Sequence, residues 1–578
     1  MENKTETTKS RVIVIGLDGA TWTNLRPWME QGLLPNLKFL VDNGASGELK
    51  STIPYRSSTS WTSFMTGVNP GKHGVFDFIK PFRNKTYNKE FTTSRDIKTK
   101  TIFEILTDFK RTSGVINLPM TYPPFEIRGG MISCGLTTPD NNCNFTFPNN
   151  LFEKSGIKKE EYILNINWMN YSKDEKESFF ADIIKCSEQR KEISFKLMDA
   201  LDWDLFVLVF GETDWLQHFC WHYIDPTHSK HDPIEAEKFL PLIIKYYQKL
   251  DSIIGEFIIR TDENTSLFII SDHGFGPREK IISLHRILEE NGFLYYKNNS
   301  LLKKIEIITD KIRKKMHEKC YLYRVLKLIV RNIFYKNIKV IQKNDVCLKK
   351  PRKITFGSDV GSMYWQSINW KKTFCYSGYA DNTIFFNLKN REPDGIISSK
   401  GDYNDIRGRV IGLISNLFDP ELGRNLRVKI DKKEEIYSGP FTQDGFDLCL
   451  EIEDGRYLLR SGANTREIFR LSEDWTGTHK KNGVIICYGN SFKKALHLEN
   501  AQIIDLTPSI LYLLGIPILY DFDGKVLKDA IKNDYLIQKP IEYKVVSEKN
   551  SEIKRVKNSN DKEDISKVEK RLADLGYI

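Results

Sequence analysis

The chain has no run of 18 apolar residues, so no stretch of it reads as a membrane-spanning helix. Its first ten residues, Met1 to Ser10, are polar and charged, and the apolar run that begins after Arg11 is too short for a secretory signal. Cysteine is sparse and unpatterned. Nine are scattered with no CxxC pair, which argues against a disulfide framework or a thiolate zinc site and leaves a reduced, cytoplasmic protein as the expectation. No internal repeat is present. Histidine is scarce too, at ten in 578 residues, yet five of the ten fall between positions 218 and 273.

The chain has enough apolar material, 40% hydrophobic and 12% aromatic, to build a sizeable core in one large elaborated domain or several smaller ones. Its charge of +10 is unevenly placed. Between Leu301 and Lys353 there are 17 Lys or Arg against 4 Asp or Glu, which exceeds the excess of the whole chain. Within that segment Leu322, Val325, Leu326, Ile329 and Ile333 repeat at helical spacing with Arg324, Lys327 and Arg331 between them. Such a basic amphipathic helix suits an inserted lid packed on the core, or peripheral contact with an anionic membrane.

Three apolar runs end in the same way. Leu267–Ile270 reads as a buried parallel strand and is followed by Ser271-Asp272-His273-Gly274. Arg11–Gly16 is followed by Asp18-Gly19. Asp204–Phe210 runs into Asp214 and His218, which share one face if the segment is helical. In open α/β sheets, ligands sit beyond the carboxyl ends of parallel strands, so acidic and imidazole groups there are natural metal ligands. Gly16 and Gly19 alone do not make a dinucleotide-binding turn, because the second glycine of that motif is missing. His479 lies in a Gly/Thr loop ahead of the apolar run Gly483–Tyr488. Ser57 opens a predicted helix whose Trp61, Phe64 and Met65 face a core. A hydroxyl at a helix N-terminus stands in a positive field suited to attack on phosphorus. The helix predictions include Lys173–Leu201, Ile281–Asn291, Asp402–Leu417 and Ile503–Leu514.

Oxygen and nitrogen donors without thiolates suit zinc or manganese more than calcium. Two such ions can hold both the attacking and the leaving oxygen of an in-line displacement. The ordered set of Asp18-Gly, Ser57 ahead of Thr66-Gly67, Asn69-Pro-Gly-Lys-His-Gly74, Asp214-x3-His218, Ser271-Asp-His-Gly and Gly477-Thr-His479 resembles the alkaline phosphatase superfamily, in its type I phosphodiesterase/nucleotide pyrophosphatase branch. The resemblance spans residues 11–295 and 355–530. It implies an α/β fold with a central, mostly parallel sheet flanked by helices, an inserted helical lid and a smaller cap region. It implies two divalent metal ions, zinc or manganese: Asp214, His218 and His479 on one, Asp18, Asp272, His273 and the nucleophile Ser57 on the other. Ser57 would form a covalent phospho-enzyme intermediate.

The domain organisation that follows is an N-terminal part of the catalytic domain over 1–297 and a basic helical insertion over 298–354. Cap elements and the rest of the catalytic domain occupy 355–545, and a charged, loose tail covers 546–578 with a short helix near its end. The implied substrate is a phosphate ester, nucleotide or lipid-linked, and no nucleic acid polymer is expected. Two departures stand out. Ser57 replaces the threonine most relatives carry. Phe78, beside Asp77, stands where nucleotide pyrophosphatases place a phosphate-binding asparagine, and Arg56 is a candidate to replace that contact. A phosphomonoesterase, mutase or phosphotransferase would share the same metal site, and a non-catalytic binding scaffold remains the reading from outside enzymology. A sulfatase is disfavoured, because Ser57 lacks the x-Pro-x-Arg that follows the sulfatase nucleophile.

Overall fold

Val12, Ile13, Val14 and Ile15 are β-branched and wholly buried, as a strand covered on both faces requires. In the computed structural model they lie in the strand Arg11–Leu17, at the centre of a nine-stranded sheet. The structure describes residues 9–80, 87, 90–167, 170–171, 175–297, 365, 367–378, 380–461, 467–472, 475–545 and 562–574. The basic insertion expected at 298–354, with its proposed membrane contact, lies outside the described residues.

Arg11–Leu17 pairs in parallel with Thr265–Ile270 on one side and with Leu205–Phe210 on the other. Leu205–Phe210 pairs in parallel with Ser113–Ile116, which pairs in parallel with Gly129–Ile132. Asn482–Tyr488 is antiparallel to both Thr265–Ile270 and Ala45–Lys50. The sheet is therefore parallel through its middle, with helices such as Lys176–Ala200 and Pro233–Ile259 packed around it. This is the α/β architecture expected. Each fully buried aliphatic side chain in such a core contributes about 1.5–3 kcal/mol relative to exposure.

A second sheet of seven strands has its own core around Ile282, Phe385, Leu448 and Leu459. The two sheets are joined by a two-stranded antiparallel ribbon, Gly274–Pro277 with Gly477–Lys480. The chain leaves the central sheet at Ile270, runs through one ribbon strand and enters the second sheet at Lys280–Ser283. It returns from Phe469–Leu471 through the other ribbon strand into Asn482–Tyr488.

Two expectations need correction. Ile281 and Ile282 are in a strand, parallel to Tyr457–Arg460, and the helix begins only at Leu284. A helical pattern and a short buried strand are indistinguishable over so few apolar residues. His479 is in the ribbon and not in a loop, because its strand is completed by a partner 200 residues away. The short helix expected near the end of the tail is present as Lys562–Asp574, with Val568 and Leu572 buried in the main core. Its Lys567 pairs with Asp140 at 2.6 Å, and Arg571 donates to the carbonyls of Gly135, Thr138 and Pro139. No helix among the described residues is long and apolar enough to cross a membrane, and the seven described cysteines are free thiols.

Candidate active site

Register alone brings the first donors together. Gly16 is opposite Val209 on one neighbour and Ile270 on the other, so the three parallel strands end side by side. Asp18, Asp272 and His273 emerge just past those ends. Gly19 turns the chain with φ +68, a conformation that suits glycine, and its N–H donates to Asp272 Oδ1 at 3.3 Å. The third strand feeds the helix Glu212–Ile224, which carries Asp214 and His218 one turn apart. The ribbon contributes His479, paired with Phe275 two residues after His273. Ser57 is the first residue of the helix Ser57–Thr66, with Arg56 at the N-cap.

The donors converge. Asp214, His218 and His479 form one group with ligand atoms within 4.8 Å of one another, and Asp18, Asp214 and His273 form a second. Asp214 belongs to both: its Oδ1 is 3.2 Å from His479 Nε2 and its Oδ2 is 3.5 Å from His218 Nε2. Asp272 approaches from the side, with Oδ2 3.3 Å from His273 Nε2. Ser57 Oγ donates to Asp18 Oδ1 at 3.4 Å and lies 3.3 Å from His273 Nε2. All seven residues singled out in the sequence thus gather in one place.

Their surroundings fit a divalent cation. Each histidine donates Nδ1–H to a backbone carbonyl: His218 to Gly477, His479 to Tyr55 and His273 to Gly274. That fixes the tautomer and turns every Nε2 lone pair inward, the arrangement metal-binding histidines adopt. Asp272 Oδ2 is buried and accepts no hydrogen bond. Trp61 Nε1 donates to Asp18 Oδ2 at 3.0 Å and holds that carboxylate in place.

The electrostatics agree. Burial, with Asp272 and Asp214 nearby, raises Asp18 well above the usual carboxylate range. Burial and Asp214 push Asp272 up to about 7. Burial lowers His218 and His479 to about 3, and lowers His273 well below its ordinary value. Neutral imidazoles are the ligand form, and three carboxylates crowded out of water call for a cation to compensate them.

Residues 12–357 match the family described as type I phosphodiesterase/nucleotide pyrophosphatase. The chain belongs to that family. It is accordingly a hydrolytic phosphoester enzyme of the phosphodiesterase and pyrophosphatase type. No curated protein matches the chain by sequence. Among solved structures, human ectonucleotide pyrophosphatase/phosphodiesterase 5 is similar at 12% identity and TM-score 0.47, over 90% of this chain and 100% of that one. The murine protein, as an inactive variant in complex with AMP, is similar at 12% identity and TM-score 0.48, over 91% and 100%. Phosphonoacetate hydrolase from Sinorhizobium meliloti, in complex with phosphonoacetate, is similar at 14% identity and TM-score 0.49, over 88% and 95%.

The structure also places Phe78 and Arg56. Phe78 is wholly buried in the main core. Arg56 does not point to solvent. It is 8% exposed, lies 3.8 Å from Asp77 and 3.9 Å from Asp381, and lines a pocket shared with His218 and His479. Burial pushes Asp77 up to about 6 against the opposing pull of Arg56. Other histidines of the cluster support the ribbon. His222 Nδ1 is 2.9 Å from Thr476 Oγ1, and His228 Nε2 is 3.1 Å from the carbonyls of Thr476 and Arg278. The pocket residues Arg278, Asp381 and Trp475 had no assigned role in the sequence. Trp475 stands four residues from His479, a usable signal, whereas Asp381 reaches the pocket only through the fold.

Proposed function

We propose that this enzyme cleaves phosphodiesters or pyrophosphates through a Ser57 covalent intermediate at a two-metal site. The observation that carries the reading is the convergence of three carbonyl-anchored histidines and three buried aspartates, with Ser57 Oγ set against Asp18 and His273. Asp214, His218 and His479 would hold one ion, and Asp18, Asp272, His273 and Ser57 the other. Zinc or manganese bound there would lower the pKa of the Ser57 hydroxyl and offset charge on the transferring phosphoryl group.

The chain's own groups do the rest. Asp18 Oδ1 takes the hydrogen bond of the Ser57 hydroxyl and leaves the Oγ lone pairs for phosphorus. As Oγ forms the new O–P bond, its proton passes to Asp18 Oδ1 and on to solvent, and the leaving oxygen departs with its electron pair. The first N–H groups of the Ser57–Thr66 helix, together with Arg56, receive the non-bridging oxygens. Water then cleaves the Ser57–phosphorus bond and restores the hydroxyl. The substrate is a phosphate ester, nucleotide or lipid-linked.

The test is hydrolysis of bis(p-nitrophenyl) phosphate against p-nitrophenyl phosphate with zinc or manganese, in the native chain and in Ser57→Ala. The expected result is preference for the diester and a loss of about 10³-fold or more in the variant. Undiminished turnover by Ser57→Ala would remove Ser57 from the reaction, and preference for the monoester would make the enzyme a phosphatase.

A further inference from the structure

The pocket beside His218 and His479 has a volume of about 60 Å³. At roughly 10–15 Å³ for each water-sized sphere, that is room for about four to six non-hydrogen atoms. Ile53, Pro54, Leu450 and Leu458 give it apolar walls. The charges of Asp381 and Arg56 are already paired. Asp381 accepts from Arg460 Nε at 2.8 Å and lies 3.9 Å from Arg56, which itself lies 3.8 Å from Asp77. A small group entering this pocket therefore has neutral polar atoms to meet.

Asn382 carries one of them. It lines the pocket and has φ +60, a left-handed conformation that asparagine tolerates better than most side chains. Its backbone is committed to the second sheet: the N–H donates to Leu459 O at 2.8 Å, and the carbonyl accepts from Leu450 N–H at 2.8 Å. Its Oδ1 accepts from Leu459 N–H at 2.6 Å. That last bond settles which end of the amide is oxygen and leaves Nδ2 with two hydrogens and no partner among the described residues. The donor is thus held rigidly between Leu448–Ile452 and Tyr457–Arg460, the strands that also supply Leu450 and Leu458 to the wall. Tyr55 lines the pocket too. Its carbonyl anchors His479 at 3.2 Å, and its hydroxyl has no hydrogen-bond partner among the described residues. A few fixed polar groups on apolar walls are how small pockets select a ligand.

We propose that Asn382 is a specificity-determining residue, whose Nδ2 hydrogens donate to an oxygen on the alcohol part of the ester held in this pocket. The alcohol there is small, neutral and oxygen-bearing, a short polyol or its ether. The proposal rests on the functional reading above and narrows it on one side of the phosphorus only, since the other alcohol of a diester lies outside this pocket.

The experiment is calorimetric binding to the zinc-loaded full chain carrying Ser57→Ala, with and without Asn382→Asp. The probes are butyl phosphate, its isostere 2-methoxyethyl phosphate, which differs by one ether oxygen, and glycerol 3-phosphate. Both oxygen-bearing probes are expected to bind about threefold to tenfold tighter than butyl phosphate, the size of one neutral hydrogen bond. Asn382→Asp keeps the acceptor for Leu459 N–H and the left-handed turn but exchanges the free donor for an acceptor. In that variant the ether is expected to lose its advantage over butyl phosphate. Glycerol 3-phosphate is expected to keep part of its own, because its hydroxyls can donate in turn. A purely structural role for Asn382 would weaken the three probes alike and leave their ratios intact, which overturns the proposal. Equal binding of the ether and butyl phosphate by the parent protein overturns it as well, whether or not the variant folds. Because binding is read without turnover, failure of the phosphodiesterase reading would show separately, as native zinc-loaded protein that hydrolyses no diester.

Discussion

His218 Nε2 faces His479 Nε2 across 3.1 Å, although the two residues are 261 positions apart and belong to different elements. Each ring spends its Nδ1–H on a backbone carbonyl, which leaves Nε2 as the lone-pair nitrogen. Asp214 stands between them and approaches both. Such a pair of inward lone pairs beside a carboxylate makes metal affinity the first quantity to measure. Replacement of His218 by alanine should weaken zinc binding by more than the roughly 10–100-fold typical of losing an outer hydrogen-bond partner. Competition against a chromophoric chelator reads it, and native affinity in the variant would place the ion elsewhere.

The ribbon admits no side chain at Gly477. A Cβ there would lie 2.2 Å from the carbonyl oxygen of Gln217, on the helix that carries His218. Gly477→Ala must therefore part the ribbon from that helix and carry His479 away from Asp214. The expected outcome is loss of diester hydrolysis by about tenfold or more, since small displacements in such a site are costly. Native turnover would mean that the ribbon does not fix His479.

Glu212 and Arg190 form a wholly buried ion pair at 2.8 Å, two residues ahead of Asp214. Removing one charge strands the other in the core. Glu212→Gln should cost about 3–5 kcal/mol of stability. Thermal unfolding of the metal-loaded protein measures it, and a midpoint unchanged from native would show that the pair contributes nothing net.

Asp447 ties the second sheet together. It accepts from Arg391 Nη2 at 2.5 Å, Lys433 Nζ at 2.8 Å and Tyr403 at 3.1 Å. Burial would raise its pKa, but Arg391 and Lys433 outweigh burial and hold it at about 2. A carboxyl depressed on folding stabilises the protein above its unfolded value near 4, and that contribution is lost as pH falls toward 2. Asp447→Asn should therefore destabilise the protein at pH 6, with a difference from native that shrinks by pH 3. Denaturant midpoints at the two pH values decide it. A constant difference would assign the effect to packing instead of charge.

Much of the site was legible because buried parallel strands announce themselves as unbroken apolar runs and stop where the chemistry begins. Asp18, Asp214, Asp272 and His273 all follow such stops. His479 was legible as a candidate but not as a strand residue, since its pairing with Phe275 is not a local property. Ile281 and Ile282 misled for the same reason: their neighbour in the sheet is Leu458–Leu459, far along the chain. The pocket was least legible. Arg278 and Asp381 are charged residues in ordinary local sequence, and only the folded arrangement puts them beside His218 and His479.

The most direct test of the Ser57 intermediate is the stereochemical course at phosphorus, using a chiral phosphorothioate diester and isotopically labelled water. Attack by Ser57 followed by attack by water is two in-line displacements, so the predicted result is net retention. Net inversion, the signature of a single attack by water, would contradict it.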